Sequence, residues 1–184
     1  LIEMRKVEKT RLDGARTPAL KTAITRHIDW LSGEIKSVDK ELARTIKADA
    51  SFKEDDEILR SIPGIGKGLS HTLIGDLREL ASMNQRQAAK LVGVAPINHD
   101  SGMMRGRRAI SGGRSHVRSA LYMGAVTAIR NNPVVKAIYD RVRGKDRPFK
   151  VAIVAAMHQL LKIAQTLLKS REKWDPDLAN ITVA

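Results

Sequence analysis

Two stretches of this 184-residue chain combine residue types that could act on a phosphate. The first is Ile62-Pro63-Gly64-Ile65-Gly66-Lys67. Pro63 ends a helix by removing a donor and restricting its neighbour. Gly64 and Gly66 permit positive φ and let a phosphate approach the backbone. The amides of a glycine turn that opens a helix form an anion site, and Lys67 adds a charge. Apolar-Pro-Gly-Ile-Gly-Lys between two helical stretches is the pattern of a helix-hairpin-helix, which holds nucleic-acid backbone without sequence preference. A plain helix–helix turn is the simpler alternative. A Walker phosphate loop is excluded, because no Gly-Lys-Ser/Thr follows four residues after a glycine.

The second stretch runs from Val94 to Arg114. It is rich in Gly, Ser and Arg and has no apolar period, the composition of a loop that carries function. A serine hydroxyl is a poor nucleophile until a base or metal activates it and cations hold the phosphate. Arg105, Arg107 and Arg108 could clamp phosphate oxygens bidentately. Gly102 leaves room beside Ser101, and His99 and Asp100 precede it. A turn residue donating to backbone is the alternative role for Ser101. Ser111 stands on the N-cap side of the next helix, which is explanation enough for it. Arg114 and Arg118, spaced i, i+4 at that helix's start, suit phosphate contact and a solvated face equally. Lys150 leads an apolar helix and could touch DNA or cap. His71 and His158 read as packing or surface groups, and no His/Asp/Glu cluster has the spacing of a metal site.

Charge sharpens this picture. The chain has a net charge of +13, and residues 101–150, with 12 basic and two acidic side chains, hold ten of it. So one-sided a concentration points to a polyanion, nucleic acid ahead of membrane lipid. The absence of cysteine excludes disulfides, zinc-thiolate sites and cysteine nucleophiles. Aromatic residues make up 3%, which argues against stacking platforms for single strands and against a β-sandwich. The longest apolar run, Val151 to Met157, is too short to span a membrane. The chain opens on Leu1 with no visible signal peptide, so a piece of a longer protein is expected.

The elements that must position these residues read as all-α. Residues 1–16 are charged and weakly periodic, an expected frayed end. Thr17 and Pro18 suit a helix start. One helical pattern then runs to about Leu59, with Ile28, Leu31, Ile35, Val38 and Leu42 spaced as a coiled-coil seam. At 1.5 Å per residue, ~40 residues span roughly 60 Å. That is too long to pack fully on so small a domain, so a partner helix is expected; a helix folded on its own domain is the alternative. Further helices are expected at Asn84–Val92, stopped by Gly93, at Ser115–Arg130 and at about Pro148–Lys169. The division is a helical coiled-coil region at 1–57, a compact helical domain at 58–170 and a tail at 171–184. Within the domain the helix-hairpin-helix occupies 58–80 and the basic loop 94–114.

Six motifs occur in order: Ile62-Pro63-Gly64-Ile65-Gly66, Ala88-Ala89-Lys90-Leu91-Val92-Gly93-Val94-Ala95-Pro96, Asp100-Ser101-Gly102, Arg107-Arg108-Ala109-Ile110-Ser111-Gly112-Gly113, His116-Val117-Arg118-Ser119-Ala120-Leu121-Tyr122-Met123 and Lys150-Val151-Ala152-Ile153-Val154-Ala155. Together they resemble the C-terminal transposase domain of the insertion sequence 110 family, over roughly residues 58–170. The helical stretch before them resembles that family's coiled-coil region. The resemblance implies a serine-dependent recombinase that moves an element between DNA sites, with DNA as partner and a guide RNA for the parent protein. It implies a RuvC-like nuclease domain, bearing a carboxylate tetrad and magnesium, of which residues 1–57 hold no counterpart. The piece itself is therefore expected to hold no cofactor and to be inactive alone. By position in the family's pattern Ser101 is the nucleophile, in a catalytic loop at 94–114, with Ser111 the runner-up. Gly64, Gly66, Lys67, Arg105, Arg107, Arg108, Arg114, Arg118 and Lys150 are the expected nucleic-acid contacts. A homodimer through the coiled coil is expected, with room for a higher order in the synaptic complex, no membrane, and a nucleoid-associated place in a bacterial or archaeal cytoplasm. Two other readings stand beside this one: a non-catalytic helix-hairpin-helix binding module, and a coiled-coil dimerisation fragment.

Overall fold

The computed structural model describes residues 1–97 and 109–176, and the chain forms two compact units, Leu1–Ala50 and Ser51–Ala184. In the first unit α1 (Ile2–Asp13) folds back on α2 (Pro18–Ala48). Thr17 caps α2 by accepting from the Leu20 amide at 3.3 Å, with Pro18 at the first helical position. The pairing is antiparallel: Arg5 reaches Ser32, and Glu8 lies 3.5 Å from His27. Leu31, on the turn of α2 between those contacts, is fully buried. The opening residues are thus a helix and not a frayed end, because packing against α2 supplies what weak periodicity does not. Of the expected seam, Leu31 is buried, Ile28 and Ile35 are half-buried, and Val38 and Leu42 are exposed. The helix stops at Asp49, whose backbone is extended, so the single helix expected to Leu59 is two.

The second unit holds α3 (Ala50–Ser61), α4 (Lys67–Asp76), a 3-10 turn (Arg78–Ala81), α5 (Gln85–Val92), α6 (Ser115–Asn131), α7 (Pro133–Arg143) and α8 (Phe149–Ser170). The two strands among the described residues, β1 (Pro96–Ile97) and β2 (Ala109–Ile110), pair antiparallel with Pro96 opposite Ile110. The all-α expectation holds. Helix α7 went unforeseen; Asn132 starts it by accepting from the Val134 and Val135 amides, with Pro133 at its first position.

Helix α8 is the core element. Ala152, Ala156, Leu160 and Ala164 recur every four residues, buried against α6 and α7. By length and composition α8 could cross a membrane, but 56% of its apolar window is buried inside the unit, so its hydrophobicity serves the core. Buried Gln165 donates from Nε2 to the carbonyls of Leu80 and Met83, each at 2.9 Å, and ties α8 to the 3-10 turn.

Candidate nucleic-acid interface

The glycine turn joins α3 to α4. Ile65 N donates to Ile62 O at 3.0 Å, and Gly64 between them has φ +107°. Gly64 answers to packing as well as to turn geometry. A Cβ there would overlap Ala128 of α6, and one on Gly124 would overlap Leu69 of α4. Small residues thus seat the turn directly on α6, and Asn132 at the end of α6 reaches the Pro63 carbonyl at 3.4 Å. Gly66, by contrast, faces open space as the N-cap of α4, with no side-chain cap. The first amides of α4 therefore lack intrahelical acceptors, and Lys67 beside them is exposed. A groove of about 410 Å³ runs from Gly66 and Gly68 past Thr72 to Met123 and Thr127 on α6.

Beneath the turn, Asp56 Oδ1 of α3 accepts from Ser70 Oγ at 2.6 Å and lies 3.9 Å from His71 Nε2, while Arg60 lies 3.4 Å from Asp56 Oδ2. Ser70 is fully buried and His71 nearly so. This network locks α3 to α4. Of the two roles open to His71 from sequence, packing or surface, burial selects packing; its acidic neighbour Asp56, 15 residues away, was not foreseen.

The second stretch is pinned at its base. Gly93 ends α5 at φ +75°. A Cβ on Gly113 would stand 2.5 Å from the Gly93 amide nitrogen and 2.6 Å from the Leu91 carbonyl. Arg114 N donates to that same carbonyl at 2.8 Å. Arg118 points its guanidinium at the carbonyls of Val92, Gly93 and Gly112, at 3.3, 3.4 and 2.5 Å. Arg114 pairs with Glu79 at 2.8 Å and donates to the Asp76 carbonyl, while His116 lies 3.2 Å from the Asp76 carboxylate. Hydrogen bonding from its own backbone, then from Arg114, holds the Glu79 carboxyl below its usual range. Arg114 and Arg118, singled out for phosphate or a solvated face, each reach acceptors of the protein itself, Arg118 through Nη1. The N-cap of α6 is Arg114, without a side-chain cap. Ser111 is exposed three residues earlier, so the capping role expected of it is not what it does.

Ser101, Arg105, Arg107 and Arg108, with His99 and Asp100, lie outside the described residues. Lys150 is exposed at the start of α8. Among the described residues no group of three His, Asp or Glu side chains could hold a metal. Magnesium therefore finds no donor set in them.

These features define an all-α cationic domain built around a glycine turn seated on α6 and a loop stem held by two arginines. Residues 56–140 match the model of the transposase family IS116/IS110/IS902. Over those residues the chain is similar to that family's transposase domain, and it resembles the C-terminal domain of an IS110-type transposase. It is similar to the pilin gene-inverting proteins of Moraxella bovis (27% identical over 186 residues) and Moraxella lacunata (29% over 188). Each alignment covers 95% of this chain and 58% of the relative. It is also 24% identical, over 114 residues, to the insertion element IS110 uncharacterized 43.6 kDa protein of Streptomyces coelicolor, covering 61% of this chain and 28% of that protein. The chain thus spans 58% of the length of the two pilin gene-inverting relatives.

Proposed function

We propose that this chain is the DNA-binding C-terminal portion of a recombinase and supplies its nucleophile, Ser101. The observation that carries the reading is the stapled stem. The β1–β2 ladder, the Gly93–Gly113 approach and Arg118 hold together the two chain segments that bracket residues 98–108. Flanking segments held together in this way suit an intervening stretch that must deliver a side chain to a phosphate. In the proposed step Ser101 Oγ bonds to phosphorus and the P–O3′ bond breaks. The hydroxyl proton passes to a base, and the departing 3′ oxygen takes up a proton. Arg105, Arg107 and Arg108 balance the phosphate charge. Gly66 and Lys67 hold duplex backbone outside the reacting phosphate.

A nuclease domain would hold magnesium, a guide RNA would choose the sites, and α2 would pair with a second copy through Val38 and Leu42. The isolated 184 residues would then bind DNA without cutting it. Covalent capture tests the reading. The full-length protein with a cognate DNA site should yield a DNA–protein adduct that maps to Ser101, vanishes in Ser101→Ala and persists in Ser111→Ala. An adduct lost only in Ser111→Ala moves the nucleophile to Ser111. No adduct at either serine leaves a non-catalytic binding module.

A further inference from the structure

The turn from α7 into α8 gathers exposed cations that the folded chain does not pair with carboxylates. Arg141 and Arg143 close α7, Lys145 and Arg147 lie in the turn, and Lys150 opens α8; all five are exposed. Among the described residues none of them lies within ion-pair distance of a carboxylate, although Asp140 and Asp146 are close in sequence. Of the stem arginines, by comparison, Arg114 pairs with the Glu79 carboxylate and Arg118 Nη1 meets three carbonyls. Helix electrostatics accounts for only part of the cluster. Arg141 and Arg143 sit at a helix C-terminus, where cations are favoured, but Lys150 stands in the first turn of α8, where they are not. That turn contains no acidic residue. The turn itself is well built: Arg143 Nη1 donates to the Arg147 carbonyl at 2.7 Å, and Asp146, at φ 52°, donates its amide to the Arg143 carbonyl at 3.0 Å.

Between Arg147 and Lys150 stands Phe149, 47% exposed, with its ring 6.3 Å from that of Tyr139 in an edge-on pair. A half-exposed aromatic ring braced from behind and flanked by cations is a stacking platform with a charge collar. We propose that the α7–α8 corner binds single-stranded nucleic acid, with Phe149 stacking on an unpaired base and Arg141, Arg147 and Lys150 holding the adjoining phosphates. An intact duplex keeps its base faces covered and offers Phe149 nothing to stack on. An anionic membrane suits the corner less well, because only Phe149 and Val151 would enter lipid while the apolar face of α8 is committed to the core. The corner is also separate from the stem. Along α8, Phe149 lies roughly 24 Å from Gln165, which anchors the 3-10 turn that Arg114 pairs with. The inference borrows from the proposed function only its choice of nucleic acid, and it stands whether or not Ser101 captures DNA.

The test uses the whole 184-residue chain and fluorescence anisotropy with a labelled 20-nucleotide oligothymidine and a 20-base-pair duplex. Phe149→Ala should weaken single-strand binding about 5- to 100-fold and change duplex affinity less than twofold. Joint Arg141→Gln, Arg147→Gln and Lys150→Gln should lower the single-strand salt slope by about two. Phe149→Leu, which keeps an apolar neighbour for Tyr139, should behave like Phe149→Ala if the ring stacks. With the unmutated chain, a bromouracil-substituted strand should photocrosslink to the peptide that contains Phe149. The proposal fails if crosslinks map only to residues 61–118 or if Phe149→Ala weakens duplex and single strand equally. It fails likewise if the variants lose binding to vesicles of 30% phosphatidylserine while keeping oligothymidine.

Discussion

Gly113 lies against Gly93 so closely that a single added carbon would stand 2.5 Å from the Gly93 nitrogen. Both have positive φ, and Arg118 lays its guanidinium across the junction. The loop stem therefore rests on two missing side chains and one long one.

Gly113→Ala should destabilise the second unit by at least ~2 kcal/mol, combining left-handed strain with backbone overlap. Gly33→Ala is the counterpart: Gly33 is in mid-helix with nothing within 4 Å of an added Cβ, and stability should rise by ~0.5–1 kcal/mol. Urea denaturation of both variants checks the pair, and equal effects would contradict the stem geometry.

Arg118→Met should leave the salt slope of DNA binding unchanged, because that guanidinium faces three carbonyls rather than solvent anions. The same variant should lower stability by ~1–3 kcal/mol through unpaired acceptors. A slope reduced by about one would instead mark Arg118 as a phosphate contact.

Gln165→Leu should cost ~1–3 kcal/mol by leaving the Leu80 carbonyl without its side-chain donor, while Lys169 still donates to Met83. Thermal melting read by circular dichroism measures it. A loss under about 0.5 kcal/mol would show that water replaces the amide.

Val38→Asp with Leu42→Asp should turn a dimer into a monomer and keep helicity, because both side chains are exposed on α2. Leu31→Asp would unfold the first unit instead, since Leu31 is wholly buried. Sedimentation with a circular dichroism spectrum separates the outcomes; an unmutated monomer would refute pairing through this face.

Burial, with a smaller contribution from Lys162, pushes His158 below the ordinary histidine value of 6.5. The folded state therefore resists protonation more than the unfolded chain does. Stability from neutral His158 should be complete above about pH 6.5 and should fall as pH drops through and below that value. His158→Gln should flatten the dependence between about pH 6.5 and 5 in denaturant titrations; an unchanged slope would place the titration elsewhere.

Much here was legible from the chain alone because it is local. Helix α5 is bounded by its own Asn84 capping box and by Gly93. Helix α6 begins at Ser115, and α8 spans Phe149–Ser170, close to where composition and period put them. The glycine turn and the order of six motifs carried the family, and the charge of residues 101–150 pointed to a polyanion. Tertiary structure decided what depended on neighbours distant in sequence. The first helix exists because α2 lies beside it. Gly64 is small because Ala128, 64 residues on, occupies the space a side chain would need. For Arg114 and Arg118 phosphate contact and a solvated face weighed equally, because sequence shows a cation and not the acceptors it meets. Those acceptors, at Glu79, Val92 and Gly93, come from other elements. A guanidinium that meets carbonyls and one open to solvent are identical in one dimension, and only packing distinguishes the staples of the stem from the exposed cations of the α7–α8 corner.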